Sequence, residues 1–149
     1  MSTIKTNAIT TVAGKPILNS TGSILQVVQT TSTTASSTTS GSFVATSLSS
    51  TITPSSSSNK ILVIITGGIQ NNTANGGIYA ALFKNGSILW TDGKLQQFST
   101  GNNVSALSIS YLDSPATTSS ITYAYYHARY NTGTASVNYG AIQLLEVSG

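Results

Sequence analysis

From Lys60 onward, short segments rich in Val, Ile, Leu and Tyr recur every 10 to 15 residues, separated by clusters of Gly, Asn, Ser and Thr. No stretch holds a sustained helical period. Segments this short cannot build helices that bury a face, so the pattern predicts an all-β domain. The expected strands are Ile24 to Gln29, Ser42 to Thr53, Lys60 to Ile69, Ile78 to Lys84, Ser87 to Trp90, Leu95 to Ser99, Ser105 to Leu112, Ile121 to Tyr130, Ala135 to Tyr139 and Ala141 to Val147. So many strands in a chain of 149 residues imply a two-sheet sandwich, a jelly roll or a relative of one.

Two local features sharpen this picture. Asn85-Gly86 lies between two strands, and both positions of a two-residue type I′ hairpin need positive φ, which Asn and Gly adopt most readily. Lys60 to Ile65, KILVII, is apolar on both faces, as expected of a central strand buried on both sides. The region from residue 1 to about residue 59 differs. Ser, Thr, Ala and Gly dominate it, and its apolar residues form small islands. It divides into an N-terminal anchoring arm over residues 1–22 and a Ser/Thr-rich, linker-like stretch over 23–59 that is the first part of the β-sandwich head of 23–149.

Composition narrows the function classes. Charged residues are 6% of the chain against roughly a quarter in an average soluble protein, and Ser plus Thr make up about a third. The net charge of +3 reflects few acids rather than many bases, and the six cations are scattered singly. No run of them could displace several phosphate counterions together, so nucleic acid is not an expected partner. Cysteine is absent, which removes disulfides, thiolate metal sites and cysteine nucleophiles. The apolar runs are far shorter than the roughly 18 residues that span a bilayer, and the N-terminus lacks the apolar core of a secretory signal, so a membrane partner is not expected either.

The inventory for catalysis is thin: His127, Asp92, Asp113, Glu146 and five lysines. A Ser-His-Asp set can be written from a serine, His127 and Asp113, but no nucleophile motif surrounds any serine. Asp92-Gly93 reads as a turn, and Asp113-Ser114-Pro115 as a strand terminator whose Asp caps backbone amides. No catalytic residue, metal site or cofactor is assigned. Trp90 and the tyrosines could stack on the apolar faces of sugar rings, which makes Trp90 the candidate glycan contact. Ile121 to Tyr130 carries Tyr123, Tyr125, His127 and Arg129 on one face and Tyr126 and Tyr130 on the other. Aromatic rings on both faces point to the chain's own core on one side and a neighbouring subunit on the other.

Several stretches resemble, in order and spacing, small structural proteins of tailed bacteriophages, especially those of aquatic and cyanobacterial hosts. They are described as tail-fibre-like or appendage proteins. The stretches are MSTIKTNAI followed by AGKP, then GSILQVVQT, SLSSTITPSSSSNKILV, SISYLDSPATTSSITY and the closing YGAIQLLEV. The final strand also looks like the last core strand of tumour-necrosis-factor-like jelly rolls. The resemblance implies a virion protein with an arm that joins the particle and a β-sandwich head, a homotrimeric fibre or appendage at tail or neck. Capsid decoration and a receptor module for host surface glycan are the alternatives. Ile4, Ile9, Pro16, Ile17 and Leu18 are the expected arm anchors on other virion proteins, and Tyr123, Tyr125, Tyr126, His127, Arg129 and Tyr130 the expected trimer contact.

Overall fold

A computed structural model describes residues 21–149, apart from the side chains of Gly93 and Lys94. The arm anchors Ile4, Ile9, Pro16, Ile17 and Leu18 lie outside the described residues. Nine strands and no helix are present among those described: β1 (Ile24–Ser32), β2 (Ser36–Thr38), β3 (Val44–Ile52), β4 (Lys60–Asn71), β5 (Gly77–Lys84), β6 (Ser87–Gln97), β7 (Asn103–Asp113), β8 (Ile121–Tyr130) and β9 (Ala135–Val147).

The architecture follows from one long antiparallel ribbon. Its closed end is the β5–β6 hairpin, where Lys84 pairs with Ser87 across Asn85 (φ 49°) and Gly86 (φ 80°), both in the left-handed region that a type I′ turn requires. Moving away from that turn, β4 pairs with β7, β3 with β8 and β1 with β9. Rolling the ribbon on itself adds two further pairings, β4 with β9 and β5 with β8. The result is two antiparallel sheets, β1-β9-β4-β7 with β2 beside β9, and β3-β8-β5-β6. This is the jelly-roll arrangement of a β-sandwich.

Strand bounds differ from the expectation in three places, each for a reason the composition hides. Ser87 to Trp90 and Leu95 to Ser99 belong to one strand, because β6 passes through Asp92 and Gly93 without turning and absorbs the irregularity as register shifts against β5. Asp92 pairs with Ala80 inside this strand rather than sitting in a turn. Likewise β9 runs through Tyr139-Gly140, with a bulge against Gly68 and Ile69 of β4. Within the linker-like 23–59 stretch, β1 and β3 lie where strands were expected, and β2 is the addition, a short hydroxyl-rich strand whose ladder bonds composition does not advertise.

The core lies between the sheets. Ile61, Val63, Ile65 and Ile69 of β4, Ile78 and Leu82 of β5, Tyr123 and Tyr125 of β8, and Ile142 and Leu144 of β9 are all fully buried there. Each such side chain contributes about 1.5–3 kcal/mol on burial. β4 is central, but it is buried on one face only: Leu62 and Ile64, on its other face, remain half-buried at the outside of the sandwich. The expectation of burial on both faces is thus corrected, and the apolar outer face needs an account of its own.

Candidate functional site

The inward face of β8 gathers most of the polar chemistry, and alternation puts Tyr123, Tyr125 and His127 there together. Tyr123 donates its hydroxyl to Asp113 Oδ2 at 2.6 Å, and Lys84 Nζ reaches the same oxygen at 2.7 Å. Asp113 ends β7 as expected, but its carboxylate holds these two side chains. Burial, and then the hydrogen bond to Asp113, raise the Tyr123 phenol above its ordinary range. Tyr125 is raised by burial alone, and its hydroxyl has no hydrogen-bond partner.

His127 is fully buried in the interior. Its Nε2 lies 3.2 Å from Ser36 Oγ on β2, while Nδ1 has no partner. Burial lowers its pKa from 6.5 to about 4, so the ring is neutral near pH 7. A serine and a histidine do meet here, but Nδ1 lacks the carboxylate that would orient it. Asp113 sits beside Tyr123, four residues back along β8 and so about 13 Å away. The Ser-His-Asp set written from the sequence is therefore not assembled. No group of three His, Asp or Glu side chains able to hold a metal occurs among the described residues.

Glu146 forms a second polar centre. Its carboxylate accepts hydrogen bonds from Gln26 Nε2 (2.6 Å), the Ser55 amide (2.6 Å), Ser55 Oγ (2.8 Å) and Asn59 Nδ2 (2.6 Å). Burial alone would raise its pKa, but the bonds from Asn59, Gln26 and Ser55 outweigh it and lower the value from 4.5 to about 2. The group fastens the 53–59 turn and β1 to β9. No signal in the sequence marks it beyond an acid that continues the alternating apolar positions Ile142 and Leu144.

The residues assigned to a trimer contact divide by strand alternation. Tyr123, Tyr125 and His127 fill the interior of a single chain and present no surface to a neighbour while the sandwich is closed. Arg129, half-buried, lies at the end of the same face and donates its amide to Ser40 O at 2.7 Å. Tyr126 and Tyr130 are on the outer face, within a cluster of rings. Phe83 stacks on Tyr126 with centroids 3.8 Å apart, Phe43 meets Phe83 edge-on at 6.2 Å, and Tyr79 meets Tyr130 edge-on at 5.4 Å. Alanines opposite these rings (Ala81, Ala124, Ala128) give them room to lean diagonally across β5 and β8. Trp90 pairs with Leu82 and packs, half-buried, against the core rather than standing in a groove.

The outer face of the other sheet has a different character. Register aligns Val27, Leu145, Leu62 and Leu112 in one row across all four strands. The next row is Gln29, Gln143, Ile64 and Ser110, and the one after is Thr31, Ala141, Thr66 and Ser108. Beyond these, Tyr139 lays its ring over Gly68, where a Cβ would come within 2.9 Å of the ring. Of the seven exposed large hydrophobic residues among those described, five lie on this face: Ile24, Val27, Val104, Leu112 and Tyr139. Lys60, at one end, is the one charged residue on the face among those described. Sequence reasoning missed this surface because its members come from four strands remote in the chain, and only the register unites them.

Neither protein families nor curated proteins give a match to this chain. Among solved structures, dimeric latent PorU from Porphyromonas gingivalis is similar at 12% identity and a TM-score of 0.40, over 87% of this chain. The matched region spans 14% of the PorU chain.

Proposed function

We propose that this chain is a non-enzymatic structural protein of a phage virion: the jelly-roll head of a homotrimeric fibre or appendage, joined to tail or neck proteins through residues 1–22. The observation that supports this most is how the chain uses its few charges. Asp113 and Glu146 act as internal locks between strands, and the outer sheet faces carry hydroxyls, amides and apolar side chains with little charge, Lys60 at one end of one face. Such a surface suits packing against other protein copies better than steering a charged ligand. The order and spacing of the stretches quoted above supply the virion context.

The test is assembly into particles. Full-length protein carrying a small tag is followed into purified virions, beside a variant lacking residues 1–18. The expected result is a few tens of copies per particle for the full chain, located at tail or neck by labelled electron microscopy, and none for the truncated one. Hundreds of copies spread over the capsid would replace the appendage by a decoration protein. Absence from particles would end the virion reading, and so would normal incorporation of the truncated form end the anchoring role of the arm.

A further inference from the structure

We infer that copies of this chain assemble through the outer face of the β1-β9-β4-β7 sheet, with Val27, Leu62, Leu112 and Leu145 at the centre of the contact. The inference rests on reading the chain as a self-assembling structural protein, and it moves the contact away from β8. Tyr123, Tyr125 and His127 are consumed inside the protomer, and Tyr126 and Tyr130 already pack against Phe83 and Tyr79 of their own chain.

Three features of the face argue for a second copy as its occupant. The first is the in-register apolar row, in which Val27 and Leu112 at the two ends are 60% and 51% exposed and Leu62 and Leu145 between them are half-buried. Scattered hydrophobic residues are ordinary on a surface, but a row spanning a whole sheet is a patch, and patches mark interfaces. The second is charge. With Lys60 at the rim and no acid among the described residues of the face, a partner recognised by complementary charge has a single peripheral cation to read, whereas the centre of a second copy's face meets no repulsion. The third is shape. Two rows along the face from the projecting Val27, about 13 Å away, lies an apolar depression of about 470 Å³ between Thr31, Thr66, Tyr139 and Ala141. The face thus carries a projection and a separate hollow, so that the projection of one copy can enter the hollow of the next around a threefold axis.

The area is sufficient. Four strands about 4.8 Å apart and about ten residues long give a plane of roughly 600 Å², which projecting side chains enlarge toward the ~800 Å² per partner of a standard-size interface. Gln143 Nε2 already donates to Gln29 Oε1 at 2.8 Å, so that donor and acceptor of the row beside the apolar centre stay paired when the face is covered.

The experiment measures the mass of the full-length protein in solution by sedimentation, for the wild type and for Val27→Lys, Leu112→Lys and Ile88→Lys. All three positions are exposed, so each variant should fold, which a thermal melt verifies. Ile88, on the outer face of the other sheet, is the control. The expected result is an assembled wild type, an assembled Ile88→Lys, and Val27→Lys and Leu112→Lys weakened by at least about a hundredfold in dissociation constant, because an unpaired ammonium would be buried. Assembly that survives Val27→Lys and Leu112→Lys overturns the assignment of this face and leaves the trimer reading intact, as does assembly lost only in Ile88→Lys. A wild type that stays monomeric at high concentration overturns both.

Discussion

Tyr123 and Tyr125 stand two residues apart on the same face of β8, both fully buried, and their surroundings are unlike. Tyr123 belongs to the end of the sandwich where β1 begins and β9 finishes. There its hydroxyl, Lys84 and Asp113 form one cluster, and Glu146 gathers Gln26, Ser55 and Asn59 in another. Further along the strand, Tyr125 Oη, His127 Nδ1 and Arg129 Nε have no hydrogen-bond partner. A buried polar atom without a partner forfeits its hydration and receives nothing for it. The first region is therefore where side-chain polarity stabilises the fold, and the second is where apolar packing must offset it. The stabilised end is also the one at which the described chain begins, where the Gly22 amide donates to Ser148 O.

The largest expected effect breaks the first region. Glu146→Ala leaves Asn59, Ser55 and Gln26 without their shared acceptor and should lower unfolding free energy by about 3–5 kcal/mol in chemical denaturation. Glu146→Gln, which keeps one acceptor oxygen, should cost less. If the two variants are alike and both mild, the carboxylate is not the lock described here.

Acid separates the two regions by pH window. His127 has a folded pKa of about 4 against 6.5 unfolded, so the unfolded chain binds the proton more readily. The linked penalty is absent above pH 6.5, grows as pH drops from 6.5 to 4, and amounts to about 3 kcal/mol at most. Glu146, at about 2 folded and 4.5 unfolded, contributes fully above pH 4.5 and loses that contribution as pH falls to 2. Denaturation midpoints measured from pH 7 to pH 3 should decline in two overlapping steps. His127→Gln should remove the upper step and keep the lower. A single decline confined below pH 4.5 in the wild type would show that His127 is not held neutral by burial.

Within β8 the smaller contrast can be tested directly. Tyr123→Phe removes one donor from Asp113 but leaves Lys84 in place, so a loss of about 1–2 kcal/mol is expected. Equal stability of this variant and the wild type would mean that Lys84 alone satisfies the carboxylate.

How far the sequence disclosed this molecule depends on whether the signal was local. Asn85-Gly86 announced its hairpin because positive φ is a property of two adjacent residues, and that hairpin is the closed end of the ribbon. Alternation in Ile121 to Tyr130 sorted its side chains correctly into two faces, but could not say which face turned inward or what covered the other. That depends on β5, whose Phe83 and Tyr79 supply the rings for Tyr126 and Tyr130. Asp92-Gly93 misled because a bulged strand tolerates turn-forming residues. The Val27, Leu145, Leu62 and Leu112 row was illegible, since each member is one apolar residue in its own strand and registers from three pairings are needed to align them.

The smallest effect is the most discriminating for the comparison. Tyr125→Phe deletes a hydroxyl that is buried and has no partner, while keeping the ring that fills the space opposite Leu82. Removing a group that lost its hydration on folding and gained no bond should leave stability unchanged or raise it by up to about 1 kcal/mol. The same chemical change two residues away, at Tyr123, should have the opposite sign. Because both variants alter one oxygen on one face of one strand, differences in the unfolded chain nearly cancel between them. A loss at Tyr125 as large as that at Tyr123 would mean that its hydroxyl finds an acceptor in solution, and the contrast between the two regions of β8 would then vanish.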